Sequence, residues 1–501
     1  MLNDSGLIKI AIVGGGPAGV SLCLQLSQAL NELNLETKIH ILLFEKSSDI
    51  GWGTPYSLRE EAFCINLPKE YMTLIPEKYH HFSQWLTARY KEQLTTFPAR
   101  HYFGQYAQEQ FATLQNSNAL EIIPCIEHDV LDIFPIDSAH YQIHARHKNQ
   151  EVTYQVTQVI LAIGHLPSNL FAHLHLIPHY QINPWDMQAY QNLPTHYHVG
   201  IIGSRLTAID VALKLRQQKH QGPITMISRL GLLSSVRGSH PIPMMRYLTP
   251  INIQNLLLHR HSQPLLPSLI SLFEQEITPY LPEALDLSKT INLIQSLSPL
   301  ERIRYEIHHA VRHKTAWQSV LSCFYQITFR LWPQFPVEQQ QLFLQNDARL
   351  MSTFLCSFPL NKAQIIYAMM RRQQLSVHKG LTDIVKTPTH FSVALEQEKP
   401  ILCDHIILAV GSGNNPETVP LLVNLLKQKL IKKHPLGGIC IDTKTHQVLA
   451  PNAAGSSRIF ALGELVKGSH FKMIEIGQVV EQARIITHQV IKQVMETTTV
   501  C

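Results

Sequence analysis

The feature that most constrains the fold of this chain is a glycine-rich turn near the amino terminus. An apolar segment, Lys9–Val13, precedes it, and an Ala/Leu/Gln-rich segment typical of a helix follows it. In such a turn the first glycine permits the bend, the second lets a phosphate approach the main chain, and the third lets the helix pack on the strand. The positive end of the helix dipole adds to the attraction. We therefore predict that a dinucleotide pyrophosphate contacts Gly14, Gly16, Pro17, Ala18 and Gly19.

A second predicted strand, Lys38–Phe44, ends at an acidic residue, Glu45. A carboxylate in this place accepts hydrogen bonds from the ribose hydroxyls of adenosine. Glu45 follows Gly14 by 31 residues, more than the usual interval of about 20, which predicts a first helix extended through Asn34. The alternative is a surface glutamate that closes the strand.

The middle of the chain repeats this pattern with changes. A strand runs into Gly203 and Ser204, and a helix and the strand Ile224–Ser228 follow. Arg205 stands at the position of the second glycine, where it either reaches a phosphate or obstructs the site. Arg229 comes directly after the second strand, where its guanidinium could pair with the 2′-phosphate of NADPH. The alternative is a solvated arginine at the end of a strand. FAD and NADPH are the two cofactors that we predict.

The remaining segments complete two nucleotide-binding domains. Val159–Gly164 and Ile406–Gly411 each resemble a strand that returns to such a sheet and ends in a glycine turn. The β-pattern after Leu375 ends at Gly463 and Glu464, before a last helix from about residue 476. We predict an α/β fold with two Rossmann-like dinucleotide-binding domains and a helical insertion. The predicted boundaries are 1–165 and 375–501 for the FAD-binding domain, 166–250 for an NAD(P)-binding-like domain, and 251–374 for the insertion.

The predicted insertion shows helical periodicity. An apolar stripe of this length is more typical of a buried helix face than of a cofactor contact. The stripe consists of Ile303, Ile307, Val311, Trp317, Val320, Leu321, Phe324 and Leu331.

Composition excludes several classes of function. With 501 residues, 45% of them hydrophobic, the chain can bury more than one core. No apolar run approaches the roughly 18 to 20 residues of a membrane span, and the first strand begins too early for a cleaved signal sequence. We therefore expect a cytoplasmic protein without a transmembrane segment. The formal charge of +5 comes without a basic tract, so we expect no nucleic-acid partner.

The metal-binding residue types do not form sets. Eight cysteines are scattered without a CxxC pair, which argues against zinc, iron–sulfur and dithiol redox chemistry. The 28 histidines include two clusters at 173, 175 and 179 and at 308, 309 and 313, but no carboxylate or cysteine completes a ligand set. We expect no metal site.

Several short motifs between residues 51 and 106 carry a family resemblance. They are Gly-Trp-Gly-Thr-Pro-Tyr-Ser at 51–57, Ile-Asn-Leu-Pro at 65–68, Met72, Phe-Ser-Gln-Trp-Leu at 82–86 and Arg-His-Tyr-Phe-Gly-Gln-Tyr at 100–106. With the glycine turns, they resemble the FAD/NAD(P)-binding family that includes flavin-dependent urate hydroxylase-like proteins. Flavin N-hydroxylating monooxygenases are similar at a greater distance, as two-dinucleotide-domain flavoproteins.

The resemblance implies roles for individual residues. The first glycine turn and Glu45 would hold the ADP half of FAD, and the loop at 51–56 and Asn66 would lie towards the isoalloxazine. Gly463 and Glu464 resemble the late flavin motif, although an aspartate is more common than Glu464. Asn66 is the single candidate catalytic residue, and the alternative is an Asx turn before Pro68. The other predicted cofactor contacts are Lys46, Gly53, Thr54, Gly164, Gly203, Ser204 and Arg229.

The resemblance also implies an activity. The leading hypothesis is an FAD-dependent, NADPH-dependent monooxygenase that hydroxylates a small polar substrate through a flavin hydroperoxide. One alternative is an NAD(P)H:acceptor flavin reductase. Another is a flavin-binding protein with a decayed nicotinamide site that acts as a binding partner, which Arg205 and the altered stretch near Ser352 motivate. The segment 352–361 lacks the family's histidine- and arginine-rich stretch, so substrate identity does not transfer, and the oligomeric state stays open.

Overall fold

The chain consists of two structural units. The computed structural model describes residues 8–33, 39–90, 95–114, 120–239, 243–281, 285–346, 348–451, 457–471 and 475–499. The first unit contains the residues up to Asn169 and those from Ser412 onward, and the second contains Leu170–Gly411. Each unit is built around its own parallel sheet.

The central strands of the two larger sheets are rich in β-branched and apolar residues, which suits burial on both faces, and the other strands form the edges of these sheets and several smaller sheets. In chain order they are β1 (Ile8–Val13), β2 (Ile39–Glu45), β3 (Leu120–Ile126), β4 (His128–Pro135), β5 (Tyr141–His147), β6 (Gln150–Val156), β7 (Gln158–Leu161), β8 (Tyr180–Gln181), β9 (Val199–Ile202), β10 (Ile224–Ile227), β11 (Val236–Arg237), β12 (Phe358–Pro359), β13 (Leu375–His378), β14 (Leu381–Lys386), β15 (Phe391–Leu395), β16 (Ile401–Cys403), β17 (His405–Leu408) and β18 (Ile459–Ala461).

The helices cover the sheets and form the insertion of the second unit. In chain order they are α1 (Pro17–Glu32), α2 (Gly53–Tyr56), α3 (His81–Tyr90), α4 (His101–Ala112), α5 (Met187–Gln191), α6 (Leu206–Gln217), α7 (Pro250–Leu258), α8 (Leu265–Ile277), α9 (Leu287–Ser296), α10 (Pro299–Val311), α11 (Trp317–Leu331), α12 (Val337–Asn346), α13 (Ala348–Leu355), α14 (Leu360–Arg371), α15 (Pro420–Lys427) and α16 (Ile476–Thr499).

The first unit is a three-layer sandwich. Its parallel sheet has the order β18-β7-β1-β2-β3. Successive side chains of β1 alternate between two cores, as the twofold period of a strand requires. Ile10 and Ile12 pack in the core that includes α1 and α16, whereas Ala11 and Val13 pack in the core that includes the antiparallel β4-β5-β6 meander and α15.

The second unit has the same layered architecture, although its edge strand β8 comes before β9 in the chain, whereas the corresponding edge strand β18 of the first unit comes last. Its parallel sheet has the order β13-β10-β9-β17-β8. Ile201 of β9 lies in the core formed with α6 and α14, and Ile202 lies in the core formed with the β14-β15-β16 meander. In both units a meander precedes the strand that returns beside the first strand. The prediction of an α/β fold with two Rossmann-like domains is confirmed.

The boundaries of the second unit differ from the predicted ones. The predicted second part of the FAD-binding domain begins at 375, but β13 pairs with β10 and β17 pairs with β9, so residues 375–411 belong to the second unit. The chain returns to the first unit at Ser412. Both sheets are buried on two faces, so a strand of either sheet is apolar throughout. The apolar sequence of β17 therefore does not indicate which sheet it joins.

The helical insertion is also shorter than predicted. Its last helix, α14, places Ala363, Ile366 and Met369 in the core beneath β9 and β10, so α14 is the crossover helix that precedes β13. The predicted apolar stripe is divided between α10 and α11, and Val311, the last residue of α10, is 54% exposed. The chain turns between these helices, so the helical period cannot continue across Val311.

Other predictions have mixed outcomes. The last helix begins at Ile476 as predicted, and α1 ends at Glu32, while Asn34 lies outside the described residues. The cysteines of the described segments are free thiols. Within those segments no helix has both the length and the apolar character to span a bilayer, and no three potential metal ligands come together.

Candidate functional site

The first glycine turn connects β1 to α1 with its main chain bare. Gly14 has a φ of +118°, and a Cβ at this position would collide with the carbonyl oxygen of Ala162, so only glycine fits. Gly16 is the N-cap of α1, where it has no side chain to cap the first-turn amides, and Pro17 follows as the first helical residue. The amides at this helix start are therefore suited to an anion such as a phosphate.

Glu45 lies directly against this turn. Its Oε2 accepts a hydrogen bond from the amide of Gly15 at 2.9 Å, and its Oε1 accepts from the amide and the hydroxyl of Ser47, both at 2.9 Å. These donors fix the carboxylate at the carboxyl end of β2, where ligands bind in α/β sheets. Lys46, the next residue, is exposed. The structure thus brings together the glycine turn and Glu45, as the sequence predicted.

The loop at 51–56 also reaches the glycine turn. The amide of Gly51 donates to the carbonyl of Gly15 at 2.7 Å, and a Cβ on Gly16 would lie 3.4 Å from the Cα of Gly53. Thr54 is exposed on α2, and the ring centroid of Tyr56 lies 5.1 Å from that of Phe103. Two chain segments that are distant in sequence therefore border one main-chain surface.

Asn66 lies in a segment that main-chain hydrogen bonds hold in place. The amide of Ile65 donates to the carbonyl of Pro98 at 2.9 Å, and Nε of Arg100 donates to the carbonyl of Cys64 at 2.8 Å. Asn66 itself is half-buried. An Asx turn requires the amide two residues later, which is Pro68 and has no N–H. The Asx-turn interpretation of Asn66 is therefore wrong.

Gly164 and Gly463 follow two neighbouring strands of the first sheet, β7 and β18. Both have a φ of +74°, and a Cβ on either would meet no described atom within 4 Å. The amide of Gly463 donates to Oε1 of Gln482 on α16 at 2.8 Å. Open space therefore borders the main chain at both glycines.

Glu464 has a cationic partner that the sequence reasoning missed. Nζ of Lys467 lies 3.0 Å from Oε2 of Glu464 and 3.3 Å from Oγ of Ser412, and the lysine is 3% exposed. Residues three apart on a helical turn share a face, so the Glu464/Lys467 spacing was the available signal. The carboxylate of Glu464 is thus held in a defined position by an ion pair with a buried lysine.

His165 was also missed, although it adjoins Gly164. Desolvation lowers the pKa of its imidazole, the charge of Glu464 opposes that shift, and the charges of Lys467 and Arg100 reinforce it. The side chain is nevertheless exposed. The imidazole of His165 thus lies within electrostatic range of Glu464 and Lys467.

The second glycine turn has the same main-chain geometry as the first. The amide of Gly203 donates to the carbonyl of Ile227 at 2.8 Å, as the amide of Gly14 donates to Phe44 at 2.9 Å. Gly203 has a φ of +125° and approaches the carbonyl of Ala409, as Gly14 approaches Ala162. The two turns are therefore structurally equivalent.

Their side chains differ. The equivalence of Ile227 and Phe44 makes Ser228 the counterpart of Glu45 and Arg229 the counterpart of Lys46. The hydroxyl of Ser204 donates to the carbonyl of Leu232 at 2.8 Å and lies 2.8 Å from the hydroxyl of Ser228, so it is occupied within the protein. Arg229 is exposed one residue beyond the acid position.

Arg205 takes the N-cap position of α6 in an extended conformation. Its side chain is half-buried. The place that glycine holds in the first turn therefore carries a cation in the second, next to first-turn amides that already favour an anion.

Comparisons with known proteins agree with this geometry. Residues 11–166 match the sequence model of a family described as FAD-NAD(P)-binding. A relative, the uncharacterised protein YdhS of Escherichia coli K12, is 24% identical over 270 residues, which are 47% of this chain and 48% of YdhS. The match thus spans about half of that relative.

Solved structures of similar fold extend over nearly the whole chain. An ornithine hydroxylase (PvdA) from Pseudomonas aeruginosa superposes with a TM-score of 0.57 at 15% identity, covering 98% of this chain and 100% of its own. An ornithine N-hydroxylase from Kutzneria sp. 744 gives 0.58 at 11% identity, covering 97% and 99%. L-lysine 6-monooxygenase from Pseudomonas syringae gives 0.56 at 14% identity, covering 97% and 99%. Residues 11–166 therefore carry an FAD/NAD(P)-binding domain, and the chain has the two-dinucleotide-domain fold that is found in flavin-dependent N-hydroxylating monooxygenases.

Proposed function

We propose that this protein is an FAD-dependent oxidoreductase that uses NADPH and oxygen to hydroxylate a small polar substrate. One observation carries the proposal: two equivalent turns differ at the position where an adenosine ribose would bind, which holds Glu45 in the first unit and Ser228 in the second. A carboxylate there favours a free ribose hydroxyl, whereas its replacement beside an arginine favours a 2′-phosphate. The pattern supports FAD in the first unit and NADPH in the second.

The residues of the first unit fit FAD. The Gly16 helix start would face the pyrophosphate and Glu45 would accept from the ribose, while the open space beside Gly164 and Gly463 leaves room along the sheet edge. Bound flavin would supply hydride acceptance from NADPH and activation of oxygen. The chain's own contribution is to bind, to orient and to exclude water.

Glu464 and Lys467 would act as a fixed hydrogen-bonding pair on this surface. The ion pair holds the carboxylate ready to accept from a hydroxyl, and its partner lysine is buried, so the pair does not depend on mobile side chains. Glu464 thereby takes the role that the aspartate of the late flavin motif has in the family that the sequence resembles.

For the second unit we propose that Arg229 pairs with the 2′-phosphate and that Arg205 contributes positive charge at the pyrophosphate. The exposed position of Arg229, directly after Ser228 and at the carboxyl end of β10, supports the first role. The N-cap position of Arg205 supports the second. In the first turn, glycine lets the pyrophosphate approach the main chain closely. In the second turn, the charge of Arg205 would attract the pyrophosphate instead.

The substrate class follows from the fold neighbours and stays a proposal. The ornithine and lysine hydroxylases named above act on small amines with a free carboxylate, and these compounds are the first probes for this chain. The free thiols of the described cysteines fit the reducing cytosol, where we propose that the protein resides.

The experiment is a spectroscopic titration of the purified full-length protein. Loss of the flavin absorbance on anaerobic addition of NADPH, followed by substrate-stimulated oxygen uptake with L-ornithine or L-lysine, would support the proposal. Bleaching with quinone turnover but without any hydroxylated product would identify an acceptor reductase. A flavin that NADPH leaves oxidised would indicate a flavin-binding protein with a decayed nicotinamide site.

A further inference from the structure

A cavity of about 400 Å³ lies within the second unit, beyond the carboxyl ends of β10 and β13. Its walls are the loop at 230–234, the corner between α9 and α10 at 295–303, and the end of β13 at His378 with the following Lys379. The carboxyl edge of parallel strands is where open α/β sheets bind ligands. The volume falls in the usual range of ligand sites, about 300 to 1,000 Å³.

Two buried side chains on the wall of this cavity have unused hydrogen-bond donors. Arg302 is 3% exposed, and its Nη1 and Nη2 have no hydrogen-bond partner among the described residues, although Nε donates to Oε1 of Glu306 at 2.8 Å. Ser234 is 2% exposed, and its hydroxyl likewise has no partner in the described segments. The ring of Phe354 lies 5.6 Å from Cζ of Arg302 and supplies only a cation–π contact. Buried donors without acceptors are costly and rare in proteins.

The acids around the cavity are already compensated. Oε2 of Glu306 accepts from the amide of Val236 at 2.7 Å, in addition to its contact with Arg302. Glu301 accepts from the amide and hydroxyl of Ser298 in a capping box, and Glu398 lies 2.8 Å from Nδ1 of His378. Among the described residues of the cavity wall, the groups that lack hydrogen-bond partners are therefore donors, namely those of Arg302 and Ser234.

We infer that this cavity binds a small molecule carrying a carboxylate or a phosphate, whose oxygens accept hydrogen bonds from Arg302 and Ser234. A planar guanidinium with two free nitrogens matches the spacing of two oxyanion oxygens. The cation of Lys379, exposed on the same wall, adds attraction. The oxyanion belongs either to a free small molecule or to the 2′-phosphate end of a dinucleotide, and the two sources can be separated by experiment.

The test is calorimetric titration of the full chain with three probes: succinate, inorganic phosphate and adenosine 2′,5′-bisphosphate. One variant is Arg302→Lys, which keeps the positive charge beside Glu306 but loses the planar pair of guanidinium nitrogens. The other is Ser234→Ala, which removes an unused donor and so leaves the fold intact. Arg304→Met is the matched control, because Arg304 lies exposed on the same helix and outside the cavity wall.

We expect the wild-type protein to bind at least one probe. Arg302→Lys should weaken that binding by about tenfold or more, and Ser234→Ala by a few fold, while Arg304→Met should leave it unchanged. If circular dichroism shows that Arg302→Lys is unfolded, Ser234→Ala decides alone. Loss confined to the bisphosphate identifies the dinucleotide as the source, and loss with succinate or phosphate identifies a free anion.

Two results would overturn the inference. One is wild-type protein that binds none of the probes, and the other is binding that the cavity variants leave unchanged. Arg229→Ala keeps this test apart from the proposed function: bisphosphate binding that depends on Arg229 and not on Arg302 supports the NADPH proposal and contradicts this one. If anion binding depends on Arg302 but NADPH fails to reduce the flavin, the result supports this inference and contradicts the proposed function.

Discussion

The amide of Gly15 donates a 2.9 Å hydrogen bond to the carboxylate of Glu45, so the glycine turn and the acid after the second strand form one unit. The second carboxylate oxygen is held by Ser47. A carboxylate fixed in this way loses little conformational entropy when it accepts a hydrogen bond from a ligand hydroxyl. The two elements predicted separately from sequence therefore depend on each other.

Glu45→Ala should weaken FAD binding by about tenfold to a hundredfold, because a hydrogen bond to a charged acceptor is lost and the Gly15 amide loses its partner. The measurement is the dissociation constant from flavin fluorescence. Glu32→Gln is the matched control, since Glu32 is exposed near the end of α1. An unchanged dissociation constant for Glu45→Ala would contradict the ribose role.

Gly16→Ala should abolish flavin binding with little loss of stability. The backbone of Gly16 has a φ of −70°, which any residue adopts, and a Cβ would come no nearer than 3.4 Å to Gly53. Gly14→Ala is the contrasting variant, because its φ of +118° and the Ala162 carbonyl predict misfolding. Flavin content after gel filtration and the thermal midpoint measure the two effects separately. Full flavin content in Gly16→Ala would refute a pyrophosphate contact at this residue.

Features of the fold and of the site could be predicted from the sequence where they arise from residues that are close together in the chain. The glycine turns and Glu45 are local patterns, and the structure places them as predicted. Assigning β17 to a sheet was not possible, because an apolar strand does not encode its neighbours. The unused donors of Arg302 were equally invisible, since they arise from packing between α10 and segments distant in sequence.

Arg229→Ala should weaken NADPH far more than NADH, by about tenfold or more in KM, because only NADPH carries the phosphate that the guanidinium pairs with. Ser228→Asp should shift preference in the opposite direction, since Ser228 is the structural counterpart of Glu45. Steady-state kinetics with both cofactors measure the ratio. Equal losses with NADPH and NADH in Arg229→Ala would exclude a 2′-phosphate role.

The buried, stacked pair His446 and His470 should make the protein acid-sensitive. Burial lowers the pKa of His446 to about 4 and that of His470 to about 3, with the charge of His446 as a second cause for His470. Both folded-state values lie below the unfolded value of about 6.5, so the unfolded state binds more protons as the pH falls. Stability is therefore complete above about pH 6.5 and is lost as the pH falls towards these lower values.

Between pH 7.5 and pH 5 this pair should cost about 4 kcal/mol of unfolding free energy, about 2 kcal/mol for each histidine. Urea unfolding at the two pH values measures the difference. The double variant His446→Gln/His470→Gln should lose most of that pH dependence, even if it is less stable at pH 7.5. A variant with the wild-type pH dependence would show that other groups control acid unfolding.

The ion pair between Lys362 and Asp210 should matter for stability only when one partner is removed. Nζ of Lys362 lies 3.2 Å from Oδ1 of Asp210, and both residues are buried where α14 packs on α6. Lys362→Met removes this cation from a buried carboxylate, which should cost about 3 to 5 kcal/mol. The double variant Lys362→Met/Asp210→Leu should recover most of that loss, because two apolar side chains replace two desolvated charges. Urea unfolding of the wild type, Lys362→Met, Asp210→Leu and the double variant completes the cycle, and a double variant no more stable than Lys362→Met would show that α14 requires the ion pair itself.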